Sequence, residues 1–185
     1  MGRELAELLS ERNGFYAFES ALHVYGIYAT GEPSETQPDI LRWNDPDCWR
    51  SSYGDLADDY LFFAEDVFGG QFAIADGGES IVSFDPETAD SAIVADGIDS
   101  WAKAILEDFD YLTGHSLASA WQKRHGGLRQ GDRLLPKLPF VVGGKYEISN
   151  LRSSNAVDGM RFRGEIAVQI ANLPEGSPIH FRAMD

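Results

Sequence analysis

Apolar and polar positions alternate most clearly between Leu61 and Leu106. Leu61–Ala64, Gln71–Ala75, Ser80–Phe84 and Ala92–Ala95 are apolar runs of strand length, each bounded by turn-forming residues. Asp76-Gly77-Gly78-Glu79 joins the second run to the third. Its Asp-Gly pair signals a hairpin, because glycine accepts the positive φ of a tight turn. Asp85-Pro86-Glu87-Thr88 turns the chain again, with Pro86 presetting φ. The period then changes: Ile98, Trp101, Ile105, Leu106 and Phe109 repeat at helical spacing. They predict a helix, capped by Asp96 or Gly97, that lays an apolar stripe on the sheet.

Upstream, Leu5, Leu8 and Leu9 predict a helix over residues 3–12, stopped by Asn13-Gly14. Phe18, Ala21, Leu22 and Tyr25 share one helical face, so Phe15–Tyr25 reads as a second helix, its aromatic content leaving a strand open. Residues 30–39 form a loop by composition, broken by Pro33 and Pro38. Downstream, Ser116–His125 reads as a helix with Leu117 and Trp121 packed and Gly126-Gly127 at its end. Pro136 and Pro139 favour an extended path for LRQGDRLLPKLPF. Tyr146–Leu151 reads as a strand. Over Met160–Leu173, Phe162, Ile166, Val168 and Ile170 suit a strand, while Ile166, Ile170 and Leu173 suit a helix. Helix is the preferred reading, followed by a strand at Ile179–Ala183.

The chain has 185 residues, 43% of them apolar, enough for one well-buried core with or without an appended subdomain. No apolar run is long enough to predict a transmembrane helix. The opening MGRELAELLSERNG lacks an apolar signal core, and Ala6 stands where a myristoylation signal has Ser or Thr. Cys48 is the only cysteine, which excludes an internal disulfide and fits a reducing cytoplasm. Its neighbours Asp45 and Asp47 disfavour a reactive thiolate.

Charge changes the picture most. The formal net charge is −15, yet residues 1–110 hold 24 acidic and 5 basic side chains, whereas residues 111–185 hold 6 and 10. The front part therefore repels nucleic acid and anionic membrane and attracts basic partners, in a way that salt weakens. Two plainer readings compete: acidity that serves solubility, and neutralisation of the front part by the basic C-terminal part.

Candidate chemistry is thin. Gly114-His115-Ser116-Leu117-Ala118 has the outline of a nucleophile elbow, but that motif needs a strand entering, and Ala104–Tyr111 is helical by pattern. Ser116 reads better as the cap of the next helix. It remains, with His115 and His125, the least implausible catalytic set. His23, His115, His125 and His180 lack metal-ligand spacing, and Asp85, Glu87 and Asp90 do not fit a calcium loop. Gly77-Gly78 and Gly143-Gly144 are isolated pairs rather than phosphate loops. Glu65 and Asp66, adjacent in a strand, point to opposite faces and cannot act as one acid/base couple. The sequence thus predicts no catalytic residues, no metal site and no cofactor. Trp43, Trp49 and Trp101 read as core. Trp43, beside Asn44-Asp45-Pro46-Asp47, is the best exposed exception, an aromatic anchor flanked by steering carboxylates.

Several of these pieces, in this order, resemble the SUKH superfamily, the Smi/Knr-type proteins. They are the Asn13-Gly14 stop, Phe68-Gly69-Gly70-Gln71-Phe72 leading into a strand, Ser83-Phe84-Asp85-Pro86-Glu87-Thr88, and Ile93-Val94-Ala95-Asp96 before the helix of Trp101. The likeness covers about residues 3–110. The Leu-Pro element usual in the family's first helix is absent, and residues beyond about 125 have no counterpart in the family core. The resemblance implies an α+β fold, a mostly antiparallel twisted sheet flanked by helices. The domain would span residues 1–125, with 126–185 as an elaboration packed on the same core. It also implies a bacterial immunity protein that binds and neutralises a toxin, in some members a nuclease. The alternative is a regulatory or scaffolding module with a non-toxin partner. On the immunity reading the expected contacts with a basic toxin domain are the loop and turn positions Trp43, Asp45, Asp47, Asp58, Asp59, Asp76, Glu79, Glu87 and Asp90.

Overall fold

The front half of the chain folds into a meander. β1 (Phe15–Ala17), β2 (Leu22–Val24), β3 (Tyr60–Asp66), β4 (Gln71–Ala75), β5 (Ile81–Phe84) and β6 (Ser91–Ala95) pair in chain order, every neighbour antiparallel. The computed structural model describes residues 2–28, 39–75, 77–78 and 80–174. Residues 30–38 of the expected loop at 30–39, Asp76 and Glu79 between β4 and β5, and the expected strand at 179–183 lie outside the described residues.

Successive strand side chains point to opposite faces, so this sheet buries two apolar surfaces. Against one lie α1 (Gly2–Glu11) and α3 (Ile98–Glu107), which bury Leu5, Leu9, Ile98, Trp101 and Ile105. The rings of Phe63 and Phe72 stand 4.9 and 5.6 Å from that of Trp101. On the other surface Phe62 packs 5.1 Å from Trp49, and Phe84 packs 5.6 Å from Tyr53. Trp49 and Tyr53 belong to the strap between α2 (Ile40–Trp43) and β3, which contains a 3₁₀ turn at Arg50–Tyr53. α6 (Ala156–Asn172) lies on that turn and adds Ala156, Met160 and Ala167 to the same core. Its approach depends on Gly164, where a Cβ would stand 2.7 Å from Tyr53 Cδ2.

Between these parts run α4 (Phe109–Thr113), α5 (His115–His125) and a second antiparallel pair, β7 (Asp132–Pro136) with β8 (Leu151–Asn155). A smaller buried cluster of Ala21, Val67, Ala118, Trp121, Leu134 and Leu151 joins them to the main sheet. The architecture is the expected α+β class, an antiparallel sheet flanked by helices.

Three local expectations are corrected. Phe15–Tyr25 is a hairpin, not a helix. Phe18, Glu19 and Ser20 turn it with φ of 52°, 53° and 69°, so helical spacing was mimicked by Phe18 within a left-handed turn and Ala21, Leu22 and Tyr25 beyond it. Tyr146–Leu151 is not a strand: a 3₁₀ turn (Ile148–Asn150) precedes β8, because the Asn150 side chain binds the backbone of Leu138 and Lys145. One helix cap also differs. α3 is capped at Gly97, one of the two expected positions, with Glu4 of α1 accepting from the Ile98 amide at 3.1 Å. α5 starts at His115, so Ser116 is inside its first turn, its amide bound by Asp110 Oδ1.

Candidate partner-binding site

Of the expected contact residues, Asp47, Asp58 and Asp59 are exposed on the strap that precedes β3, Asp45 on the same strap is half-buried, and Asp90 is exposed in the β5–β6 turn. Two hydrogen bonds tie these segments together. Tyr53 Oη donates to the Pro86 carbonyl at 2.7 Å, and the Tyr60 and Ser91 hydroxyls lie 3.0 Å apart. Asp59 and Asp90 each precede a member of the second bond, so the strap and the turn are linked through side chains that reach across the sheet. Asp55 and Asp85, also exposed on these segments, extend the set and were missed as contacts. Their turn composition was the available signal.

Few cations stand against this surface. Arg42 lies 3.4 Å from Asp45, and Arg50 lies 4.0 Å from Asp58 while donating to the carbonyls of Ala57 and Asp58. Among the described residues no ion pair joins Asp47, Asp55, Asp59, Asp85 or Asp90 to a cation. From the basic C-terminal part, Arg133 pairs with Glu65, while Arg161 pairs with Asp158 and donates to the Cys48 carbonyl of the strap at 2.7 Å, beside Asp47.

Two expected contacts are corrected. Trp43 is fully buried: its ring stacks on Tyr25 at 4.8 Å, and its Nε1 donates to Gln71 Oε1 at 2.8 Å. The polar residues after it cap α2 and turn the chain, while the indole points inward. Glu87 is only 2% exposed, and its Oε2 accepts from the Val141 amide at 2.8 Å. Burial raises its pKa against the lowering effect of that amide and of Arg163.

The sheet interior also holds charges whose roles the sequence did not reveal. Glu65, 1% exposed, meets Arg133 Nη2 at 2.6 Å and His23 Nδ1 at 3.1 Å. Burial pushes its carboxyl up, but Arg133 and His23 prevail and hold its pKa down at about 2. Burial lowers the pKa of His23, so Nδ1 carries the proton of a neutral ring and donates it to the carboxylate. Arg133 thereby anchors β7 to β3, with Tyr16 below its guanidinium, 5.3 Å from the ring centre. The neighbour, Asp66, holds the turn into β4: Oδ1 accepts from the amides of Phe68 and Gly70 at 2.7 and 2.8 Å. Burial raises its pKa to about 7 against the opposing pull of those amides and of Arg163. A Cβ on Gly69 would meet Arg163 Nη2 at 2.5 Å, and one on Gly70 would meet Asp66 Oδ2 at 2.5 Å, so the turn needs both glycines.

Where β3 and β5 end and β4 begins, a cleft of about 690 Å³ opens between the α4–α5 junction and residues 140–146. Phe140 and Tyr146 stack at 3.8 Å on one side, with Phe68 set edge-on to both. Asp66, Asp85, Glu87 and Asp110 also line it, against a single cation, Arg163.

The residues of the elbow-like motif do not assemble into a nucleophilic site. α4, not a strand, enters it, and His115 lies 3.7 Å from Glu19. His125 Nδ1 is 3.0 Å from the Trp121 carbonyl. His180 is outside the described residues. Among the described residues no group of three or more His, Cys, Asp or Glu side chains is placed to hold a metal ion, and no helix is long and apolar enough to cross a membrane.

No family model matches the chain, and no curated protein is detectably similar to it. Among solved structures, Atu4351 from Agrobacterium tumefaciens is similar at a TM-score of 0.56 and 11% identity. The match covers 88% of this chain and 75% of that one. At that identity the likeness is one of fold.

Proposed function

We propose that this is a cytoplasmic immunity-type protein of the SUKH kind, without catalysis of its own, that captures and neutralises a basic toxin domain. The observation that supports this reading most is the double row of carboxylates on the strap and the β5–β6 turn, exposed and, at Asp47, Asp59 and Asp90, without a paired cation among the described residues. A basic nuclease domain fits it, because carboxylates can occupy the places its cations reserve for phosphates.

The test takes the protein encoded beside this gene, purified as an inactive variant, and titrates it at 50 and 300 mM salt. The expected result is tight binding that weakens by tenfold or more at the higher salt and by a similar factor in the quadruple variant Asp47→Asn/Asp58→Asn/Asp59→Asn/Asp90→Asn. Binding indifferent to both changes would overturn the reading.

A further inference from the structure

We infer that the free edge of the main sheet, at β6, receives an added strand from a protein partner, an apolar extended segment flanked by basic residues. β6 ends the meander, and among the described residues no strand pairs with its outer side. Hydrogen bonds in an antiparallel ladder alternate, and the Asp85 amide, donating to the Asp90 carbonyl at 2.9 Å, sets their phase. Asp90 and Ala92, the latter opposite Ser83, therefore turn their backbone groups toward β5. Ser91 and Ile93, opposite Phe84 and Val82, turn their N–H and C=O groups outward. An incoming strand meets those donors and acceptors at the two-residue repeat it requires.

Exposed edges are ordinarily guarded by lysine or proline. Ser91–Ala95 contains neither. Ile93 is instead 77% exposed, beside the buried Val82, and a strand laid along β6 would cover it. The edge is also held in shape before anything binds. The Tyr60 and Ser91 hydroxyls lie 3.0 Å apart, and the Ser83 hydroxyl donates to the Ala92 carbonyl at 3.4 Å. Little ordering of this side is left for the partner to drive.

Charge selects the occupant. Asp90 and Asp96 are exposed at the two ends of the strand. A second copy paired antiparallel about Ile93 would bring the Asp90 end of each chain to the Asp96 end of the other. Like charges so opposed destabilise a strand pair, and the net charge of −15 adds to the repulsion. A segment with lysine or arginine at each end turns both effects to its favour.

This edge is distinct from Asp47 and Asp58 of the strap, and its occupant need not be a toxin. The probe is the peptide acetyl-Lys-Val-Thr-Val-Thr-Val-Lys-amide, titrated into the full chain and followed by backbone NMR shifts and amide hydrogen exchange. In the free chain the Ser91 and Ile93 amides should exchange faster than that of Ala92, and saturating probe should slow both about tenfold or more. The peptide with Glu for both Lys, and the Lys peptide N-methylated at every valine and threonine, should each bind about tenfold more weakly or worse. Ile93→Pro removes an outward N–H and spares the ladder to β5, so it should weaken the probe by a similar factor. Should that variant fold poorly, Ile93→Lys, at an already exposed position, should do the same. Asp47→Asn/Asp58→Asn should leave probe binding unchanged while weakening capture of the toxin domain, so the two proposals can fail separately. Unaltered exchange at Ser91 and Ile93, equal binding of the N-methylated peptide, or an affinity unmoved by both Ile93 variants overturns the inference. Protection of these amides that grows with protein concentration alone would make a second copy the occupant, and overturns it too.

Discussion

Replacing Arg133 with methionine would leave a carboxylate in the core without its cation. Glu65 and Arg133 are both within 1% of complete burial and sit 2.6 Å apart, so solvent cannot take over the lost role. Removing one member of such a pair costs about 3–5 kcal/mol. The pKa of Glu65 gives a second route to the magnitude. A carboxyl that ionises near 2 in the folded chain, against 4.5 ordinarily, contributes about 3 kcal/mol at neutral pH. Because its folded pKa is depressed, that contribution is complete above pH 4.5 and disappears as pH falls towards 2. In Arg133→Met the sign reverses, since burial now favours the protonated acid. The variant should be weakest at pH 7 and recover part of its deficit near pH 5. Urea unfolding followed by tryptophan fluorescence measures this, with Trp43, Trp49, Trp101 and Trp121 all buried as reporters. The double variant Glu65→Leu/Arg133→Met should lose far less than Arg133→Met alone, because an apolar pair leaves no orphaned charge. A deficit below about 1 kcal/mol at pH 7, or one that does not change with pH, would refute the reasoning.

Asp66 predicts the opposite pH dependence. Its folded pKa is raised to about 7, so the stability it contributes is present below pH 3.8 and is lost as pH climbs to 7. Asp66→Asn, whose side-chain oxygen still accepts from Phe68 and Gly70, should flatten that decline in urea midpoints measured from pH 4 to 7. In the interior of α6, Gly164→Ala would add about 1 kcal/mol of helix propensity in isolation. Here the new methyl meets Tyr53 and the Ser52 backbone at 2.7 and 2.9 Å, so thermal unfolding should show a net loss of about 1–3 kcal/mol. Ser20→Gly should raise stability by about 1 kcal/mol, because φ at Ser20 is 69° and its hydroxyl has no hydrogen bond among the described residues. An unchanged melting temperature would show that the left-handed turn is not strained.

Local chemistry was enough to place β3 to β6, α3 and α5 within one or two residues. Period-2 and period-3.6 apolar patterns are written in neighbouring residues, and Asp-Pro and Gly-Gly turns punctuate them locally. The same local reading misled at Phe15–Tyr25, where three residues in left-handed conformation broke a spacing that a helix would also satisfy. It misled again at Trp43, whose polar successors turn the chain while the indole seeks Gln71, 28 residues away. At the candidate site, exposure of Asp47, Asp58, Asp59 and Asp90 was legible because turn residues are seldom buried. The joining of the strap to the β5–β6 turn was not, since it depends on Tyr53 and Tyr60 reaching across the sheet.

Periodicity by itself determined the strands of the central meander and the helix after them, and composition the acidity of the front half, because both are sums over near neighbours; the α+β class was what the family resemblance implied. Only the tertiary structure decided where Glu65 finds Arg133, where Glu4 caps α3 and where Glu87 is enclosed. Those partners are 68, 94 and 54 residues apart in sequence. Burial is a property of the whole chain, and a buried charge takes its meaning from whatever distant group is packed against it.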